Sequence, residues 1–197
     1  RPENGSFTAW PEKDLVSSGG QVEPPPPPSV KAEYIHSAAF SDKSAVNGPF
    51  SYEFGFDGVF EGMSAYYAPW KCWRDGDSPP SVGSYYIGST TKKDGLIAFT
   101  APQDADIDIG STLPVKLDKE NAANCDGVAF MIVQQNTEGF YPLWPKKGEF
   151  DWQMINNSTG ELNLTGVTTK VKKGDRILFI ARSTGGNIGD VVNIDPA

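Results

Sequence analysis

The chain has 197 residues and a formal net charge of −8, room for one ordinary domain plus an appendage, since domains usually run about 100–150 residues. A surface of that sign repels nucleic acid and anionic lipid, which both draw their affinity from Lys and Arg, so neither nucleic acid nor membrane is an expected partner. It also disfavours strongly acidic glycans, and no apolar run approaches the ~18 residues that would span a bilayer.

Eleven Phe, seven Tyr and five Trp supply a core, while 21 Gly and 16 Pro interrupt the chain too often for long helices. The composition is that of many short strands joined by turns. Residues 1–30 read as an extended arm and proline-rich linker. They hold few core-forming residues (Phe7, Trp10, Leu15 and Val16), then Ser17-Ser18-Gly19-Gly20, then an unbroken run from Pro24 to Pro28. Such a run takes up extended polyproline II and holds its ends apart. Two readings of the arm stay open. It is a linker to a lost neighbour, or it docks on an identical subunit as an added strand.

Residues 31–197 change texture to strand, turn, strand. Phe50-Ser51-Tyr52-Glu53-Phe54-Gly55-Phe56 alternates with period two, as a half-buried strand does. Leu96 to Thr100 is a short apolar run stopped at Ala101-Pro102, and Asp106-Ile107-Asp108-Ile109 alternates again. Val128 to Val133 follows the turn pair Asp126-Gly127. Leu162-Asn163-Leu164 and Val167 to Val171 lead through the turn Lys173-Gly174-Asp175 to Arg176 through Ala181. No segment sustains a 3.6-residue period. The expected fold is therefore all-β, an antiparallel β-sandwich of jelly-roll type with an extended N-terminal arm.

The most informative segment is Tyr66-Tyr67-Ala68-Pro69-Trp70-Lys71-Cys72-Trp73-Arg74-Asp75-Gly76-Asp77. Sugars present apolar C–H faces that stack on Trp and Tyr, while their hydroxyls bond to charged and amide side chains. An aromatic loop with interleaved polar groups supplies both. The candidate ligand-binding residues are Tyr67, Trp70, Trp73 and Arg74. Tyr141 and Trp144 join them from Phe140-Tyr141-Pro142-Leu143-Trp144-Pro145, which its prolines confine to a loop or a sheet edge. The competing reading fills one end of the sandwich with these rings. Strand alternation there would send Tyr66, Ala68 and Trp70 one way and Tyr67 and Pro69 the other.

Catalytic constellations are missing from the sequence. A single histidine, His36, read as an ordinary strand residue, rules out a multi-His zinc site and leaves no Ser-His-Asp case. There is no Gly-x-Ser-x-Gly elbow and no phosphate-binding glycine loop. Glu149 and Asp151 flank Phe150 beside Trp152, but 25 acidic residues make any one pair uninformative. The chain is expected not to be an enzyme. Calcium is the one cofactor to consider, because Asp104, Asp106 and Asp108 alternate, with Asp118 and Glu120 downstream. The alternative is a solvated acidic face. Cys72 and Cys125 read as a disulfide in an oxidising compartment, against two buried free thiols. Sequons at Asn4, Asn156, Asn157 and Asn163 mark exposed polar stretches.

In order, the aromatic strand near Phe50–Phe54, Ala98-Phe99-Thr100-Ala101-Pro102, Asp126-Gly127-Val128, Leu143-Trp144-Pro145, Val171 to Ile177 and the closing Asn193-Ile194-Asp195-Pro196 form a pattern. It resembles the jelly-roll, carbohydrate-binding-module-like accessory domains of bacterial secreted polysaccharide-degrading enzymes, over roughly residues 31–197. The resemblance implies a secreted or cell-surface setting and a neutral polysaccharide as partner. It makes Lys173-Gly174-Asp175 a strand-entry turn and Asp195-Pro196 a sheet-end feature. It also offers Asp126 or Asp190, at strand ends, as holders of a structural ion. Fold does not imply function. The second function carried forward is a structural subunit of an extracellular fibre or sheath assembled through residues 1–30.

Overall fold

Turn chemistry sets where the strands of this protein end, in a computed structural model that describes residues 32–118, 126–146, 151–185 and 190–197. A four-residue helix α1 (His36–Ala39) leads to β1 (Val46–Asn47) and β2 (Phe50–Phe56). Asp57 and Gly58, both at positive φ, turn the chain back into β3 (Val59–Gly62). Then come β4 (Ala65–Tyr67), β5 (Cys72–Asp75), β6 (Ser78–Gly83), β7 (Tyr86–Ser89), β8 (Asp94–Thr100), β9 (Ala105–Ile109) and β10 (Lys116–Leu117). After these follow β11 (Val128–Asn136), β12 (Gly139–Trp144), β13 (Gln153–Ile155), β14 (Val167–Val171), β15 (Arg176–Ser183) and β16 (Asp190–Asn193).

Two antiparallel sheets make the sandwich. The first runs β1-β2-β8-β15-β11-β12, with β3 on β2 and β13 on β11; the second runs β10-β16-β7-β6-β5-β4. A third pair, β14 with β9, stands apart. The sheets face each other with β6 over β8, β7 over β8 and β15, and β16 over β15 and β11. That stacking puts β4 at the β2 edge of the sandwich and β12 at the other.

The interior is apolar because inward positions alternate as a pleat requires. Phe50, Tyr52 and Phe54 of β2 are buried, with less buried residues between them. They meet Ile97, Phe130, Ile132, Ile177 and Phe179 on the same side, and Trp73, Val82, Ile87 and Val192 from the opposing sheet. The runs in β8, β11 and β15 do not alternate, since both their faces are covered. Leu96, Ala98, Met131, Val133, Leu178 and Ile180 form a second buried cluster on the outer face, under Phe60, Phe140 and Trp152. Phe140 reaches across to Gly58, where a Cβ would lie 3.4 Å from its ring. The β2–β3 and β11–β12 hairpins therefore roof the first sheet.

One end is tied by Asp195, which accepts hydrogen bonds from the Ser37 amide and hydroxyl (2.8 Å each) and from the Thr112 hydroxyl. The sheet-end role expected of Asp195-Pro196 is thus borne by a buried carboxylate with three donors. His36 corrects a sequence expectation. It opens α1 rather than lying in a strand, and it is wholly buried between the rings of Phe40, Phe50 and Tyr52, 5.4–5.9 Å away. Burial lowers its pKa to about 4, against the opposing pull of Asp195 at 3.9 Å and the Ser84 carbonyl. The imidazole is neutral there because burial strips the charged form of its water, and the nearby Asp195 and Ser84 oxygens offset that only in part.

The cysteine expectation is corrected too. Cys72 is a free thiol, completely buried on β5, and not half of a disulfide. Its neighbours across the ladder are Tyr67 and Gly83, and its side chain meets the Tyr86 hydroxyl. It is packed as a small apolar group. Cys125 lies outside the described residues, as do residues 1–30 with the whole proline run.

Candidate functional site: an aromatic hairpin at one sheet edge

Strand alternation fails where the function would lie. β4 ends at Tyr67, and Ala68-Pro69-Trp70 close a single 3-10 turn, with Lys71 in the left-handed region at φ 50°. The Lys71 amide donates to the Ala68 carbonyl (3.2 Å) and fixes the turn. Trp70 emerges 59% exposed, whereas Trp73, three residues on, is buried in the core. The Trp73 indole N–H donates to the Ser41 carbonyl (2.8 Å) and its ring meets Tyr66 at 5.6 Å. It holds the edge together and faces away from solvent.

Arg74 joins the exposed ring to the strand. Its guanidinium carbon lies 4.0 Å from the Tyr67 ring centre and 4.3 Å from that of Trp70, and the two rings stand at 89°. The cation therefore fills the corner between two ring faces, each contact contributing roughly 0.5–2 kcal/mol. Nη1 donates to the Asp77 carbonyl (3.2 Å), and Nε has no partner among the described residues although Arg74 is only 4% exposed. The rings replace part of the hydration the guanidinium loses. The result is an indole braced from behind before any ligand arrives.

Two residues of this site escaped the sequence reading. The ladder pairs Tyr67 with Cys72, Cys72 with Gly83, and Gly83 with Tyr86, so the β4–β5 and β6–β7 hairpin tips stand at the same end. The Tyr86 hydroxyl donates to the Trp70 carbonyl (3.2 Å) and ties one tip to the other. Its ring lies flat on Gly83, where a Cβ would come within 2.2 Å of it. Burial, and then the Cys72 thiol, push the Tyr86 pKa well above the ordinary phenol value, so it stays a donor at neutral pH. Tyr85, in the turn between them, is 50% exposed. The signal was present as Gly83-Ser84-Tyr85-Tyr86, a glycine followed by paired aromatics at a hairpin.

The six candidate residues thus divide. Tyr67, Trp70 and Arg74 come together, Trp73 adjoins them from inside, and Tyr141 and Trp144 stand on β12 at the far edge of the sandwich. The expectation that the prolines of 140–145 confine them to an edge holds, since β12 ends its sheet. Tyr141 is exposed, with its hydroxyl 3.4 Å from Glu138, and Trp144 is half-buried against Phe130.

The acidic positions are engaged otherwise. Asp106 faces solvent and reaches Lys170 at 3.6 Å, Asp104 accepts the Lys173 amide (2.8 Å), and Asp108 is exposed on the same face. Among the described residues, no three His, Cys, Asp or Glu side chains gather as metal ligands would, and Glu120 and Glu149 lie outside them. Asp190 is buried with one oxygen accepting from Ser183 and the other without a partner among the described residues. No helix among the described residues is long and apolar enough to cross a membrane.

No protein-family model matches this chain, no curated protein matches it in sequence, and no solved structure matches it in fold. The likeness to carbohydrate-binding accessory domains therefore rests on its short ordered motifs alone.

Proposed function

We propose that the chain is a non-catalytic module that holds a neutral polysaccharide, with the exposed face of Trp70 as the stacking surface. One observation carries this reading. A tryptophan more than half exposed is held rigid by Tyr67, by the Arg74 guanidinium and by the Tyr86 hydroxyl on its own carbonyl. A large exposed ring is costly to leave in water, and one that is also preorganised loses little entropy when a ligand lies on it. A sugar ring offers the matching apolar face, and Lys71 and Tyr85 beside it offer polar groups for hydroxyls. The exterior setting rests on the resemblance, and the fibre-subunit reading depends on an arm outside the described residues.

The test is affinity electrophoresis through gels containing xylan, glucomannan, soluble starch or a soluble cellulose derivative. Wild type is retarded by at least one neutral polymer. Trp70→Ala loses the retardation while keeping the native circular dichroism, because a central tryptophan is worth about 2 kcal/mol or more, roughly thirtyfold in Kd. Equal retardation of Trp70→Ala and wild type overturns the reading.

A further inference from the structure

The edge opposite Trp70 carries a concave feature of a different construction. β12 and β13 both pair with the same side of β11, β12 along Ile132–Asn136 and β13 along Val128–Phe130. Met131 of β11 separates the two paired stretches. The β11–β12 ladder slips beside it, because Ile132 opposes Trp144 while Val133 opposes Pro142, which makes Leu143 an extra residue. A bulge of this kind re-aims the side chain beside it. Here Trp144 turns onto Phe130, ring centres 5.8 Å apart, and also lines a cleft beside it. Thr165, Gly166 and Val167, at the entry to β14, close the other side.

The cleft so formed holds about 320 Å³, at the lower end of the range for small-ligand sites. One wall is the indole with Pro145. Gln153, Thr165 and Lys146 are the polar residues of the lining. Gly166, at φ 68°, adds no side chain to the opening. An aromatic residue with an amide, a hydroxyl and one cation, and no carboxylate among the described lining residues, suits a small uncharged polyol with one apolar face.

We propose that this cleft is a second saccharide site that takes a short end of a neutral glycan, separate from the Trp70 platform. The inference rests on the reading of the chain as a saccharide-binding module. The two sites differ in kind. Trp70 is a flat surface open to a chain passing over it, while the Trp144 cleft is a concavity, open to solvent, that takes a terminus. They stand at opposite edges of six-stranded layers, so with neighbouring strands about 4.8 Å apart they are roughly 20 Å or more from each other. A single molecule then holds two glycan segments at once and links neighbouring chains of the polymer.

The experiment is an NMR titration that follows the indole N–H signals of Trp70 and Trp144 separately. The probes are neutral hexasaccharides of glucose, xylose and mannose, applied to wild type, Trp70→Ala and Thr165→Trp. Thr165 is exposed, so a tryptophan there fills the cleft without entering the core. Both indoles shift in wild type, the Trp144 signal still shifts in Trp70→Ala, and Thr165→Trp weakens binding at Trp144 about tenfold or more while leaving Trp70 responsive. A Trp144 signal that stays still while Trp70 shifts overturns the second site and spares the first. Movement of Trp144 with Trp70 silent keeps the cleft and overturns the platform, and silence of both overturns both.

Discussion

The two sheets treat their outer faces in opposite ways. On the first sheet, Leu96, Leu178, Ile180 and Met131 are apolar and sealed under Phe60, Phe140 and Trp152. On the second, the outward positions of β5, β6 and β7 are Cys72, Arg74, Ser81, Gly83 and Gly88, small groups and one cation, with Tyr86 the one large ring among them. Large apolar side chains make a roofed sheet that contributes stability on both faces. Small ones let a tyrosine lie flat on the backbone and a guanidinium fold under two rings, so the bulk that remains, Trp70, is pushed out into water. Stability and recognition are thus written on different sheets, and changes on each are expected to read out differently.

The largest expected effect is on the roofed sheet. Leu178 is wholly buried, so Leu178→Ala removes its contacts and leaves a cavity, costing about 2–5 kcal/mol in urea unfolding with no change in glycan retention of the folded fraction. A loss of retention there would join the two sheets into one functional unit.

Next comes the sandwich interior, through His36. Its folded pKa of about 4 lies below the ordinary value of 6.5, so folding favours the neutral ring. The contribution is fully present above pH 6.5 and is lost as pH falls toward 4, because the unfolded chain takes up the proton first. The shift corresponds to about 3 kcal/mol. Urea unfolding of wild type across that window is expected to show the loss, and His36→Phe to flatten it. An unchanged pH slope in His36→Phe would remove His36 as the cause.

Gly83→Ala is the intermediate case. A methyl there overlaps the Tyr86 ring, so Tyr86 must lift and release Trp70, at about 1–3 kcal/mol of stability. Retention on polysaccharide falls with it, and the substitution links the two properties that elsewhere separate. The smallest stability effect is that of Trp70→Ala, about 0.5–2 kcal/mol from the lost Arg74 contact because the ring is otherwise mostly in water, although binding is lost.

The fold was legible where one physical signal acted alone. Period-two alternation marked β2 and β9, and glycine turns at Gly127 and Gly174, both at positive φ, marked the strand starts after them. Continuous runs such as Val128–Val133 carried more than was read in them. A strand buried on both faces has no polar side, so its pattern announces a roof over the sheet. β6 was hidden by Pro79-Pro80, which argue against a strand. They are accommodated because the ladder slips there, with Arg74 opposite Ser81 and Asp75 opposite Ser78, and neither proline has to donate. At the site, Trp70 and Trp73 are equivalent in composition. Only the 3-10 turn after Tyr67 separates them, and it breaks the alternation on which an inside-outside assignment depends. Tyr86 was beyond reach because its partnership with Trp70 runs through a backbone carbonyl sixteen positions away in the chain.

The most direct measurement is hydroxyl-radical footprinting of the intact protein, free and bound to a polymer that retards it. Trp70 and Tyr67 should be oxidised in the free protein and protected in the complex, with Trp73 unreactive in both. Protection confined to the roofed face, at Phe56 and Val59, with Trp70 equally oxidised in both states, would contradict the assignment of recognition to the second sheet.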